Sequence, residues 1–141
     1  ISRMKLVPAD FFPLVSRYKR SGKLFDIVIL DPPFFSTTDK GTIDLATDTV
    51  RLINKVRPLV QHKGFLVVVN NALYLPGNQF HSALLKLSAD KYLNFETIVP
   101  VPLDVTGYPQ TIVSHPPVDP SPYNHSTKIA ILSVLRKQSS V

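Results

Sequence analysis

The sequence contains no cysteine. Disulfides, thiolate metal sites and thiol nucleophiles are therefore excluded, and the redox compartment is left undetermined. Long apolar runs are missing too. The longest, such as Phe65 to Val69, are far too short to span a bilayer, so no membrane association is expected. No signal-peptide pattern and no internal repeat are visible. Glycine is sparse: Gly22, Gly41, Gly64, Gly77 and Gly107 are scattered and form no G-x-G turn. The histidines His62, His81, His115 and His125 lie apart without ligand spacing, so no metal site is expected. The chain begins at Ile1 rather than at Met, in what reads as the middle of a strand. We expect a fragment or a processed chain.

What is present suits one modest α/β domain. A length of 141 residues is enough for a single core. We place that domain over residues 1–137, with residues 138–141 as a tail. The net charge of +6 fits an anionic partner, and it fits a merely solvated surface equally well.

The informative stretch is Phe25-Asp26-Ile27-Val28-Ile29-Leu30-Asp31-Pro32-Pro33-Phe34-Phe35. Ile27 to Leu30 are continuously apolar and mostly β-branched, which predicts a strand covered on both faces. Pro32 and Pro33 lack a backbone N–H and fix φ, so the strand must stop at Asp31. Asp31 is then placed at the carboxyl end of a strand, where open α/β sheets put their chemistry. A carboxylate, a rigid turn and the rings of Phe34 and Phe35 together suit the edge and face of a planar heterocycle.

Around this corner the chain alternates strands and helices. Ser2 to Val7 alternates polar and apolar residues and predicts a strand that Pro8 stops. Asp10 suits the N-cap of a helix that runs to about Arg20 and ends at Ser21-Gly22. Ser36 to Gly41 is polar and reads as a mobile loop. From Asp44 to about Val60 apolar residues recur at helical spacing, with Pro58 late in the segment. Phe65 to Val69 predicts a buried strand ending at Asn70-Asn71. A helix is expected over about Gln79 to Ser88 and a strand over Phe95 to Val101. Residues 100 to 126 are Pro-rich, and Lys128 to Leu135 is the last strand. The order β-α-β-α-β-α-β-β predicts a largely parallel sheet whose last two strands are antiparallel neighbours.

This order, with its Asp-Pro-Pro-aromatic corner and closing strand pair, resembles the second half of a class I S-adenosylmethionine-dependent methyltransferase. The likeness runs from about Ser2 to Leu135, from the family's third strand onward. The Rossmann-like cofactor half, with its Gly-rich turn, is not present in the sequence. The resemblance implies that Asp10, in Pro8-Ala9-Asp10-Phe11-Phe12, accepts a hydrogen bond from the adenine amino group, with Phe11 near the ring. It implies that Asp31-Pro32-Pro33-Phe34 faces the methyl-accepting atom, Asp31 also bordering the cofactor. Asn70-Asn71 is similar to the large-subunit ribosomal RNA methyltransferases that modify guanine. The sister branch that modifies cytosine C5 carries Ser-Cys-Ser there, and without cysteine that route is closed to this chain.

The expectation is a methyltransferase that uses S-adenosylmethionine, acts in the cytoplasm and methylates a base nitrogen in RNA, ribosomal RNA first. Asp31, Pro32, Pro33 and Phe34 are the catalytic candidates. Asp10, Phe11 and Asp31 are the cofactor candidates, and Phe35, Asn70 and Asn71 the substrate candidates. Asp10 also reads as a plain helix cap. Asn70 and Asn71 also read as turn residues. Arg17, Lys19, Arg20 and Lys23 read as a solvated helix face or as a phosphate-contacting patch. The alternatives are a methyltransferase on protein or a small molecule, and a non-catalytic RNA-binding fragment. The oligomeric state is not legible.

Overall fold

The computed structural model describes residues 4–38 and 41–137. It opens with helix α1 (Phe11–Arg20) and strand β1 (Phe25–Leu30). A hairpin of β2 (Phe35–Thr38) and β3 (Gly41–Asp44) leads into α2 (Leu45–Val56) and a 3₁₀ turn (Arg57–Leu59). Then come β4 (Val60–Asn70), α3 (Gly77–Ser88), β5 (Leu93–Val99), the short α4 (Leu103–Thr106) and β6 (Lys128–Val134).

The main sheet has the order β1-β4-β6-β5. β1 and β4 are parallel, with Ile27 opposite Phe65 and Leu30 opposite Val68. β6 runs antiparallel to both β4 and β5. β1, β4 and β5 therefore point the same way, and reversed β6 lies between two of them. The expected parallel bias survives in strand direction, although two of the three hydrogen-bonded pairs are antiparallel.

Local chemistry explains the element boundaries. Asp44 caps α2: its Oδ1 accepts from the Ala46 amide at 2.8 Å, while its own amide donates to Asp48 Oδ2 at 3.0 Å. Pro58 tightens the end of this segment into the 3₁₀ turn, as its lost N–H requires. Gly64 lets β4 approach the register shift in β1, because a Cβ there would lie 2.6 Å from the Asp26 carbonyl. Gly77 starts α3 against the Pro-rich segment. Its amide donates to the Asp119 carbonyl at 3.0 Å, and a Cβ would meet the Pro120 carbonyl at 2.0 Å.

One face of the sheet carries the core. Leu30, Leu66, Val68, Ala130 and Leu132 are buried with Leu52, Ile53, Val56, Phe80 and Leu84 of α2 and α3. Each such side chain contributes about 1.5–3 kcal/mol of burial. The other face is open. Ile27 and Ile29 of β1 are 58% and 67% exposed, and Phe65 opposite Ile27 is exposed as well. The strand predicted as covered on both faces is thus covered on one.

Two further expectations are corrected. Residues 4–7 are not a strand, and residues 2 and 3 of that prediction lie outside the described residues. Alternation alone does not make a strand, which is defined by its pairing with a neighbour. Of the predicted loop 36–41, residues 36–38 and 41 belong to β2 and β3, where Ser36 pairs with Ile43 and Thr37 with Thr42, and residues 39 and 40 lie outside the described residues; threonine's β-branch favours that conformation. The Pro-rich segment is anchored at both ends. Asn124 accepts from the Val101 amide and donates to its carbonyl, at 2.9 and 2.8 Å.

Candidate active site

The turn after β1 and the start of α1 face one another across a cavity of about 620 Å³. Asp10, Phe11, Asp31, Pro32 and Pro33 all line it. Its floor is apolar, built from Leu14, Val15 and Tyr18 of α1, Val28 and Leu30 of β1, and Leu52 and Val56 of α2. This volume is in the range of small-molecule and cofactor sites, and two carboxylates at the margin of an apolar floor match the pattern of such sites.

Pro32 and Pro33 end β1 as their chemistry demands, and they present Asp31 beside the cavity. Asp31 Oδ1 accepts a hydrogen bond of 3.3 Å from Asn71 Nδ2. Asp10 occupies the N-cap position of α1 with extended backbone, yet its side chain makes no capping bond. Its carboxylate is not committed to the helix end, although capping was the simpler expectation.

The two asparagines after β4 part company. Asn70 is 0% exposed. Its Nδ2 donates to the Leu45 carbonyl at 3.0 Å and to Thr49 Oγ1 at 2.8 Å, and its Oδ1 accepts from the Ala72 amide at 2.8 Å. Both amide hydrogens and one of the two oxygen lone pairs are used inside the protein. Asn70 therefore ties the end of β4 to the start of α2. Asn71 faces Asp31.

Of the aromatic pair, the Phe34 side chain is the one that the structure describes. Phe34 is 41% exposed and stands outside the cavity lining, while its carbonyl accepts from the Leu45 amide at 3.1 Å. The side chain of Phe35 lies outside the described part of the structure.

Sequence reasoning missed Lys128. It is 1% exposed, and its Nζ donates to the carbonyls of Ala72 at 2.8 Å and Ser126 at 2.7 Å. One ammonium thus joins the segment after Asn71 to the exit of the Pro-rich segment. Burial lowers its pKa from 10.5 to about 8. The signal was available: Lys128 has the strand parity of Ala130, Leu132 and Val134, all buried.

Among curated proteins, the Ribosomal RNA large subunit methyltransferase K of Neisseria meningitidis is 34% identical over 71 residues, 49% of this chain and 20% of that protein. The Ribosomal RNA large subunit methyltransferase K/L of Hydrogenovibrio crunogenus is 44% identical over 50 residues, 34% of this chain and 7% of that protein. Among solved structures, SMU.776, named as a methyltransferase and determined in complex with SAH, matches with a TM-score of 0.68 at 21% identity. That match covers 89% of this chain and 30% of the other.

The chain shares the methyltransferase fold and resembles the large-subunit ribosomal RNA methyltransferases in sequence.

The matched segments span a fifth or less of these curated relatives' length. No family model matches the chain. Among the described residues, no helix is long and apolar enough to cross a membrane, and no group of three or more His, Asp or Glu side chains could hold a metal ion.

Proposed function

We propose that this chain is the catalytic-side part of an S-adenosylmethionine-dependent methyltransferase that methylates a base nitrogen in RNA, ribosomal RNA first, in the cytoplasm. The observation that carries the reading is the convergence of Asp10, Phe11, Asp31, Pro32 and Pro33 on one cavity. These residues come from two separate segments of the sequence, and the family resemblance assigns them to cofactor and acceptor.

The cavity suits an adenosine-sized group. Its floor is apolar, Phe11 offers a ring, and the Asp10 carboxylate is uncapped and able to accept from an exocyclic amine. When bound, S-adenosylmethionine supplies an electrophilic methyl group. The protein's share of the chemistry is alignment and electron density at the acceptor. An exocyclic base amine has its lone pair delocalised into the ring. The Asp31 carboxylate and the Pro32 carbonyl would accept its N–H groups and make the nitrogen more available. Asn71 would hold Asp31 in that orientation. Phe34, outside the cavity yet half exposed, would meet the face of a base drawn out of its stack. Asn70 would act as a positioning residue.

A second reading has its own support. The open face bearing Ile27, Ile29 and Phe65 is a surface that a further segment, such as the expected cofactor half, would cover. Until it is covered, the chain would bind RNA without turning over.

Asp31→Ala tests the proposal. Methyl transfer to RNA should fall by at least about 100-fold while calorimetric binding of S-adenosylhomocysteine is retained. Unchanged turnover removes Asp31 from the mechanism. Absence of any heat with wild type assigns this chain the non-catalytic role.

A further inference from the structure

A second concave surface adjoins the cavity, about a quarter turn around α1. The groove between α1 and α2 is lined by Phe12, Val15, Ser16, Lys19, Arg51 and Lys55. Val15 lines both this groove and the cavity described above, so the two concave surfaces adjoin.

The charges in this groove are one-sided. Lys19 comes from α1 and Arg51 and Lys55 from α2, while Arg57, in the turn that follows, lies outside the groove lining with its guanidinium 5.1 Å from the Tyr92 ring centroid. Partial burial, and after it the like charges of Lys55 and Arg57, lowers the Lys19 pKa. The acid within reach is Asp48, which pairs with Arg51 at 3.1 Å. Arg51 also lies over the Phe12 ring, 5.8 Å from its centroid. Cations collected this way repel one another and lower stability unless an anion sits among them.

We propose that the α1–α2 groove is a track for the phosphodiester backbone of the RNA substrate, gripped by Lys19, Arg51 and Lys55. The inference rests on the reading of RNA as the acceptor and adds where that RNA lies. The groove is narrow and concave, as a single strand requires, and its Arg51–Phe12 pair offers a flat surface for a base or ribose. The groove adjoins, through Val15, the cavity that Asp31 lines. An anionic membrane is the poorer fit, since neither of the apolar lining residues, Phe12 and Val15, is exposed enough to insert.

Binding of a fluorescein-labelled RNA hairpin, followed by anisotropy between about 50 and 200 mM salt, tests this. Two double variants with the same loss of charge are compared. Lys19→Ala/Lys55→Ala removes groove cations, and Lys86→Ala/Lys91→Ala removes exposed cations at the end of α3 and in the turn after it. The groove variant should reduce the slope of log affinity against log salt by about one to two, and the control should leave it unchanged. Lys19→Arg/Lys55→Arg should restore the wild-type slope, which guards against a folding defect. Equal slopes in the two alanine doubles overturn the proposal, as does wild type that fails to bind the hairpin. Groove-dependent binding to phosphatidylglycerol vesicles but not to the hairpin assigns the surface to a membrane and also overturns it. Calorimetric titration of S-adenosylhomocysteine into the same proteins is independent of these outcomes, so failure of the cofactor reading is seen separately.

Discussion

Asn71 Nδ2 reaches Asp31 Oδ1 at 3.3 Å, joining the carboxyl ends of two adjacent parallel strands. The residues are forty positions apart, and the parallel register of β1 and β4 brings them together. The bond fixes the direction of a carboxylate that would otherwise rotate freely at the cavity mouth. It also distinguishes two roles for Asn71. As a positioning residue, its replacement by Ala should lower kcat by about 10- to 100-fold with little change in KM for RNA. As a substrate contact, the same change should raise KM and spare kcat. Steady-state kinetics of the Asn71→Ala variant separates them.

Asn70 makes the opposite prediction. It is buried and bonded to Leu45, Thr49 and Ala72. Asn70→Ala strands those partners in the core and should cost about 2–4 kcal/mol in urea unfolding. Asn71→Ala, at a more open position, should stay within about 0.5 kcal/mol of wild type. A reversed ranking would mean that the roles of the two asparagines are exchanged.

Much of this was legible in the sequence, and the failures share a cause. The Asp31-Pro32-Pro33 corner was legible because proline dictates its own backbone. Helix α2 was legible because Asp44 caps it and its apolar residues recur at helical spacing. Those signals are local. The open sheet face was not legible, because Ile27 and Ile29 look the same whether or not anything covers them. The false strand at residues 4–7 failed for the same reason: a strand is defined by its neighbour. The division between Asn70 and Asn71 was within reach. Leu66, Val68 and Asn70 share one parity, and that parity faces the core.

Tyr123 packs against Phe80 with ring centroids 5.6 Å apart, but its buried hydroxyl has no hydrogen-bond partner among the described residues. Burial also pushes its pKa up, so the ring stays neutral well into the alkaline range. A stranded donor costs about 1–3 kcal/mol. Tyr123→Phe keeps the ring and removes the stranded group, and it should raise stability by about 1 kcal/mol. Thermal unfolding measures this; a loss of stability would mean that an ordered water satisfies the hydroxyl.

Lys128 couples stability to pH in a direction opposite to that of a salt-bridged lysine. Its folded pKa of about 8 lies below the ordinary value of 10.5, because desolvation disfavours the ammonium more than its two carbonyl partners restore it. Below pH 8 both folded and unfolded chains hold the proton, and the folded state carries the burial penalty in full. Between about pH 8 and 10.5 the folded protein releases the proton while the unfolded chain keeps it. Stability from this group must therefore rise across that window, with a slope of at most about 1.4 kcal/mol per pH unit. Lys128→Met has no such titration. The difference in unfolding free energy, wild type minus variant, should increase from pH 8 to 10.5 and be flat below it. A difference that falls over the same interval would show that the two carbonyls outweigh burial and hold the ammonium charged.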